Sequence, residues 1–246
     1  MTISCTEKHT IYSGQSWTIH NMDALHMSTS GIIQPESVDT ILCDPPYSSG
    51  GTTAQERQNG ASKKYITDGS CTSRLVDFDG DNRDQRSYAT WLAMVLALAR
   101  PAVKPGGIVM VFTDWRQLPA TTDAVQSAGY IWRGIIPWHK PANRKLTGRF
   151  SNACEYIVYA SHGKLGRTNV KGLPCPEGFY SQTPPYVKKR IHPTEKPVDM
   201  LRHMLTTTPE NGTVMDLFCG SGSTGEAAIS TNRKFIGFEI SSHYAK

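Results

Sequence analysis

No apolar run in the 246-residue chain approaches the roughly 20 residues that a membrane-spanning helix needs. The longest, around Trp91 to Ala99 and Ile108 to Phe112, are core-sized, so no membrane segment is expected. The opening Met1-Thr2-Ile3-Ser4-Cys5-Thr6-Glu7-Lys8 has neither a basic start nor an apolar centre. No secretory leader is therefore expected, and the cytoplasm is the expected location. Cysteine is sparse. Cys5, Cys43, Cys71, Cys154, Cys175 and Cys219 lie far apart without a Cys-x-x-Cys pair, which argues for reduced thiols and against a zinc site or redox dithiol. No metal is expected, and no internal repeat is visible. Charged residues make up only 19% and hydrophobic residues 38%, which excludes wholesale disorder and coiled coil and fits one large domain with at most a small insert.

What charge there is has been distributed unevenly. Residues 133–190 hold eleven Lys and Arg against Glu155 and Glu177, a net +9, while the rest of the chain is at −4. Trp138, Phe150, Tyr156, Tyr159, Phe179, Tyr180 and Tyr186 are interleaved with these cations. Cations suit phosphates and flat rings suit bases, so the segment reads either as a nucleic-acid contact or as a solvated basic face over core aromatics.

The pattern along the chain alternates strands and helices. Strands are expected at Ser16–Asn21, Val38–Cys43, Ile108–Thr113, Tyr130–Trp138, Glu155–Ala160, Thr213–Phe218 and Lys234–Ile240, with the fourth and fifth as an antiparallel pair. Helices are expected over Tyr88–Ala102 (spacing Trp91, Val95, Leu98, Ala99), Leu118–Ala128, from Pro197 to about Thr207, and from about Thr224. Lys104-Pro105-Gly106-Gly107 reads as a turn, residues 48–84 as a long mobile loop, and 163–186 as irregular. This alternation predicts an α/β fold with a doubly wound, mostly parallel sheet.

Asp216-Leu217-Phe218-Cys219-Gly220-Ser221-Gly222-Ser223-Thr224-Gly225 follows an apolar strand and opens a helix, where nucleotide-like ligands meet a sheet's carboxyl edge. Glu239 closes the next strand, placed to accept hydrogen bonds from two ribose hydroxyls. A ligand-free tight turn is the plainer alternative, but the loop with Glu239 favours an adenosine cofactor. Only Thr224 separates Ser223 from Gly225, which departs from the dinucleotide spacing and favours a cofactor without a pyrophosphate.

A second corner, Asp44-Pro45-Pro46-Tyr47, ends the strand Val38–Cys43. Two prolines fix the backbone so that the Asp44 carboxylate and the Pro45 carbonyl can converge on one amino group. An exocyclic base amine is a poor nucleophile because its lone pair is delocalised. Accepting its N–H groups pushes density onto nitrogen and orients it, while Tyr47 offers a ring for a flat base. The plainer reading is a proline turn with a capping Asp and a core Tyr.

Together, Asp44-Pro45-Pro46-Tyr47 and Asp216-Leu217-Phe218-Cys219-Gly220-Ser221-Gly222 resemble the S-adenosylmethionine-dependent DNA amino-methyltransferases, and the motif order is similar to that of their beta class. Arg190-Ile191-His192-Pro193-Thr194-Glu195-Lys196-Pro197 is similar to the family's His-Pro-Thr-x-Lys-Pro motif. The resemblance implies that His192, Thr194, Lys196 and Pro197 help to hold the methionine end of the cofactor. It also implies that Asp23, in Asn21-Met22-Asp23-Ala24-Leu25, accepts from the adenine. Asp44, Asp216, Phe218, Gly220, Ser221, Gly222, Thr224 and Glu239 complete the expected cofactor set. The plainer reading is a helix N-terminus with Pro197 near the first turn and Thr194 or Glu195 capping, and both can hold together. Residues 135–160, with Trp138, Arg149-Phe150, Asn152 and Glu155, resemble the stretch before the family's target-recognition region.

The resemblance implies a seven-stranded, Rossmann-like methyltransferase sheet in circularly permuted order, with residues 1–160 as the catalytic half, 161–191 as a short target-recognition insert and 192–246 as the cofactor-binding half. Truncation at either end should then abolish cofactor binding. It further implies transfer of a methyl group from S-adenosyl-L-methionine to a base flipped out of double-stranded DNA. Catalysis falls to Asp44, Pro45, Pro46 and Tyr47. Arg144, Lys145, Arg149, Arg167, Lys171, Lys188, Lys189 and Arg190 are the DNA-binding candidates, mostly for phosphates. Asp at position 44 leans towards N6 of adenine over N4 of cytosine; a protein-glutamine methyltransferase would carry Asn there. A catalytically inactive nucleic-acid-binding module is the rival of another class, opposed by the intact motifs. Pro174-Cys175 invites comparison with cytosine carbon-5 methyltransferases but lacks their motif order. The chain stops at Lys246, where the family's helix would continue, and a homodimer and a cognate restriction enzyme stay open as partners.

Overall fold

The computed structural model describes residues 9–27, 31–47, 83–141, 147–148, 150–165, 174, 176–184 and 195–245. Among these residues nine strands form one mixed sheet: β1 Thr10–Ser13, β2 Trp17–Asn21, β3 Val38–Cys43, β4 Val103–Thr113, β5 Ile131–His139, β6 Cys154–Ser161, β7 Tyr180–Ser181, β8 Thr213–Asp216 and β9 Lys234–Glu239. Their spatial order is β1-β2-β9-β8-β3-β4-β6-β5-β7. The run from β2 through β9, β8 and β3 to β4 is parallel, and β5 pairs antiparallel with β6 as expected. The seven expected strands are all present. Short β1 and β7 extend the edges; too short for a periodic signal, they are held by pairing to β2 and β5.

Helices α1 Gln85–Ala99, α2 Leu118–Ser127, α3 Val198–Met204 and α4 Ser223–Ile229 cover both faces. Alternation along the buried strands sorts side chains between two cores. Ile41, Val109, Val111, Val158 and Met215 face α1 and α2, whereas Leu42, Met110, Phe112, Ile157 and Val214 pack with Met200, Leu201 and Met204 of α3 and Ala227 and Ala228 of α4. Helix α1 starts where the Asp84 side chain accepts from the Arg86 and Ser87 amides at 3.0 and 2.9 Å. Its buried stripe is Tyr88, Leu92, Val95, Leu96 and Ala99, so the face is rotated from the expected one, and Trp91 and Leu98 flank it. Each fully buried aliphatic side chain there is worth about 1.5–3 kcal/mol.

The expected Lys104-Pro105-Gly106-Gly107 turn lies inside β4 as an irregularity. Register runs from Val38↔Val103 to Thr40↔Ile108, leaving extra residues on β4. Gly106 takes φ +81° and its amide donates to His162 O, while a Cβ on Gly107 would stand 3.1 Å from Asp39 O. The Asp39 carboxylate ties the bulge down, receiving Lys104 Nζ at 2.8 Å and the Thr213 amide of β8 at 2.8 Å. Cys43, Cys154 and Cys219 are free thiols. Among the described residues no helix is long and apolar enough to cross a membrane.

Candidate active site

The order in which the parallel strands are connected reverses between β8 and β3: β8 leads to β9 on one side and β3 to β4 on the other. Such a switch point opens a cleft at the carboxyl ends of the strands. One cleft here is lined by Asp23, by Asp44 to Tyr47 after β3, by Phe112 of β4, by Lys196, and by Asp216, Phe218, Gly220, Ser221, Thr224 and Glu239. Twelve of the site residues expected from the sequence thus converge. Gly222 and Pro197 lie outside the lining. Pro197 instead forms the N-cap of α3 without a side-chain cap, so the expected capping by Glu195 is not what starts that helix.

The glycine loop is built around Glu239. Its Oε2 accepts the Gly220 amide at 2.8 Å and its Oε1 the Ser241 amide at 2.8 Å, which fixes the carboxylate at the cleft wall and leaves further lone pairs for a ligand. Gly222 sits at φ +81°, a region that favours glycine. Gly225 lets α4 approach β9, since a Cβ would come 2.9 Å from the Phe235 ring. Asp216 is buried at the end of β8, accepting from the Phe218 amide at 3.0 Å and from Thr224. Burial, aided by Asp44 and Glu239, pushes its pKa up to about 7. Asp23 caps the short turn Ala24–His26 by accepting from the Leu25 amide at 2.9 Å. Trp91, absent from the expected set, leans on Phe218 at 5.2 Å and carries Arg83 over its ring at 4.0 Å.

In the proline corner, Lys196 Nζ lies 2.5 Å from Asp44 Oδ2. Asp44 Oδ1 is buried without a hydrogen-bond partner among the described residues. Burial raises the Asp44 pKa; Lys196 opposes the rise. Tyr47 is buried at the cleft wall and its hydroxyl bonds to Glu155. Glu155, to which the sequence alone assigned no role, also pairs with Lys140. Its signal was an acid among eleven cations on an otherwise apolar strand. The five carboxylates Asp23, Asp44, Glu195, Asp216 and Glu239 outnumber Lys196 and Arg83 in the cleft, so it suits a ligand that brings positive charge.

A family profile described as DNA methylase matches residues 38–246. The chain belongs to this DNA methylase family. It is 28% identical over 231 residues to Type II methyltransferase M2.LlaDCHI of Lactococcus lactis subsp. cremoris, covering 87% of this chain and 81% of that protein. It is 27% identical over 231 residues to Type II methyltransferase M2.DpnII of Streptococcus pneumoniae, covering 87% and 82%. Among solved structures, PvuII DNA methyltransferase (cytosine-N4-specific) superposes with TM-score 0.70 at 16% identity over 95% of this chain and 85% of that one. The M1.HpyAVI–SAM complex gives TM-score 0.65 at 22% identity over 93% and 95%. These structural likenesses confirm the Rossmann-like α/β fold of a DNA methylase.

In this DNA methylase the basic segment divides. Trp138 is core, donating from Nε1 to Gln182 O at 2.8 Å and meeting Phe112 edge-on, and Tyr180 is also buried, whereas Phe150 and Phe179 are exposed. Of the two readings left open for this segment, core aromatics hold for Trp138 and Tyr180, which share a core with Met200, Leu201 and Met204 of α3. Arg144, Lys145, Arg149, Arg167, Lys171, Lys188, Lys189 and Arg190 lie outside the described residues, as do His192, Thr194 and nearly all of the 48–84 loop.

Proposed function

We propose that this DNA methylase transfers a methyl group from S-adenosyl-L-methionine to the N6 amine of adenine in double-stranded DNA. The observation that carries the reading is Asp44 at the end of β3, with one oxygen on Lys196 and the other buried and unpartnered among the described residues at the cleft. That oxygen and the neighbouring Pro45 carbonyl are the acceptors for the two N–H groups of a base amine.

The residues present fit the cofactor. Asp23, Phe218, the Gly220–Ser221 turn and Glu239 are suited to its adenosine, and the half-buried Asp44 and buried Asp216, whose charges repel, favour its positive charge. When bound, S-adenosyl-L-methionine supplies a methyl group on a sulfonium, which the amine nitrogen takes as the sulfur–carbon bond breaks. Asp44 holds the amine during that step. Burial also makes its carboxylate a better proton acceptor than a solvated aspartate as the nitrogen gains positive charge. The wall formed by Tyr47 offers the base a ring, and the Glu155 bond fixes that ring.

Residues 161–191 are read as the target-recognition insert, with the cations of 133–190 on phosphates. The side-by-side placement of β2 and β9 supports reading the motif order as a circular permutation. Asp at position 44 supports adenine over cytosine by resemblance. The test is transfer of labelled methyl from S-adenosyl-L-methionine to unmethylated duplex DNA, with the digested nucleosides identified by mass spectrometry beside Asp44→Ala. N6-methyladenine that vanishes in the variant is the expected result. N4-methylcytosine would retain the chemistry and change the base, and no DNA methylation despite cofactor binding would refute the assignment.

A further inference from the structure

Lys196 stands between two carboxylates, 2.5 Å from Asp44 Oδ2 and 3.8 Å from Glu155 Oε2. The rings of Phe112, at 5.1 Å, and Tyr47, at 5.8 Å, wall its ammonium in. Glu155 projects from β6, opposite Trp138 of β5. One of its oxygens takes Lys140, and the Tyr47 hydroxyl donates to the same carboxylate. Oε2 is buried with no hydrogen-bond partner among the described residues. Leaving a buried acceptor unsatisfied costs about 1–3 kcal/mol, more when charged, so a second use for that oxygen is worth seeking.

We propose that Glu155 is a positioning residue that receives Lys196 when the target amine takes Asp44. The inference rests on the reading of Asp44 as the acceptor for that amine. The amine takes Oδ1, and while Lys196 stays on Oδ2 its charge-assisted bond draws electron density from the same carboxylate and weakens it as an acceptor; passing Lys196 to Glu155 restores that density. Oε2 of Glu155, 3.8 Å from Nζ, lies about 0.6 Å beyond the roughly 3.2 Å reach of a hydrogen bond, so a small swing of the lysine end completes the exchange. The exchange moves no proton and leaves the cluster's charge unchanged. Because Tyr47 is tied to the same carboxylate, one group sets both the ring that meets the base and the lysine that vacates Asp44.

The titratable and charged groups facing Asp44 are Lys196 ahead of α3, Glu155 on β6, Lys140 after β5, Asp216 at the end of β8, Cys43 on β3 and Tyr88 on α1. Of these, the negative charge of Glu155 raises the Asp44 pKa, so neutralising Glu155 moves the Asp44 titration to lower pH. The experiment compares wild type, Glu155→Gln, Glu155→Asp, Lys196→Met and the double variant Glu155→Gln/Lys196→Met. It measures kcat and KM for duplex DNA as a function of pH, with cofactor binding followed by calorimetry.

Glu155→Gln is expected to bind cofactor as wild type does, to lose about 10- to 100-fold in kcat, and to shift the acid limb of kcat/KM to lower pH. Glu155→Asp should restore the wild-type limb. Assayed at saturating cofactor, because Lys196 is also read as a cofactor contact, the double variant should be no worse in kcat than Glu155→Gln, since no lysine then draws on the Asp44 carboxylate. A Glu155→Gln kcat within twofold of wild type, an unmoved acid limb, or a double-variant loss equal to the product of the single losses overturns the proposal. Wild-type protein that binds cofactor yet methylates no DNA overturns the Asp44 reading and this inference together; an active wild type with a silent Glu155→Gln overturns this inference alone.

Discussion

Replacing Asp216 by Asn should stabilise the ligand-free protein, and increasingly so as pH rises. Asp216 is 2% exposed, and its pKa moves from 3.8 to about 7 on folding. A carboxyl with a raised folded pKa binds more protons folded than unfolded, so its cost to stability is absent below about pH 4 and grows until pH passes about 7. Three units correspond to about 4 kcal/mol as a ceiling, of which about 2 kcal/mol accrues between pH 5 and pH 7. Asn retains an oxygen for the Phe218 amide, and its NH2 can donate to the Thr224 hydroxyl, so the geometry is kept. In a chain of this size, about 2 kcal/mol is a Tm difference of about 4–8 °C. Thermal unfolding of wild type and Asp216→Asn at intervals from pH 5 to pH 8 should show the gap widening by that amount. A gap that stays constant over this range would refute the account of Asp216 as a buried, ionised residue held at a cost.

Cofactor binding should raise Tm more at pH 8 than at pH 5 in wild type, since a cation offsets the ionised Asp216, and Asp216→Asn should lose that difference; differential scanning fluorimetry reads both. Gly225→Ala should destabilise by about 1–3 kcal/mol in thermal unfolding, because its Cβ would meet the Phe235 ring at 2.9 Å. Gly222→Ala, with open space around it but φ +81°, should cost only the left-handed strain of about 1–2 kcal/mol in thermal unfolding. Asp39→Ala strips the acceptor from Lys104 and the Thr213 amide and should destabilise by about 1–3 kcal/mol in urea, with kcat unaffected. Replacing Lys188, Lys189 and Arg190 by Ala should reduce the slope of log K against log salt by about 0.9 for each phosphate no longer neutralised, measured by fluorescence anisotropy with duplex DNA.

The strands were legible where their signal is local. Val38–Cys43 is continuously apolar apart from Asp39 and Thr40 and stops at proline, and the structure reproduces both ends. The α1 face was misread by a rotation because Trp91 is apolar yet lies towards the cleft, where Arg83 and Phe218 cover it. The Lys104–Gly107 segment carries every mark of a turn, and nothing near it in sequence reveals that Asp39, His162 and Thr213 hold it in the sheet.

The same division holds for the site. Residue type and spacing determined the two corners, Asp44 to Tyr47 and Asp216 to Gly222, because each is a short backbone device whose chemistry is written in consecutive residues. Tertiary structure alone decided that Lys196 meets Asp44 across 152 positions, that Glu155 stands behind both, and that Asp216 is buried enough to titrate near neutrality. Those properties depend on distance and dielectric between groups remote in the chain, and a sequence encodes neither until the sheet has placed its strand ends side by side.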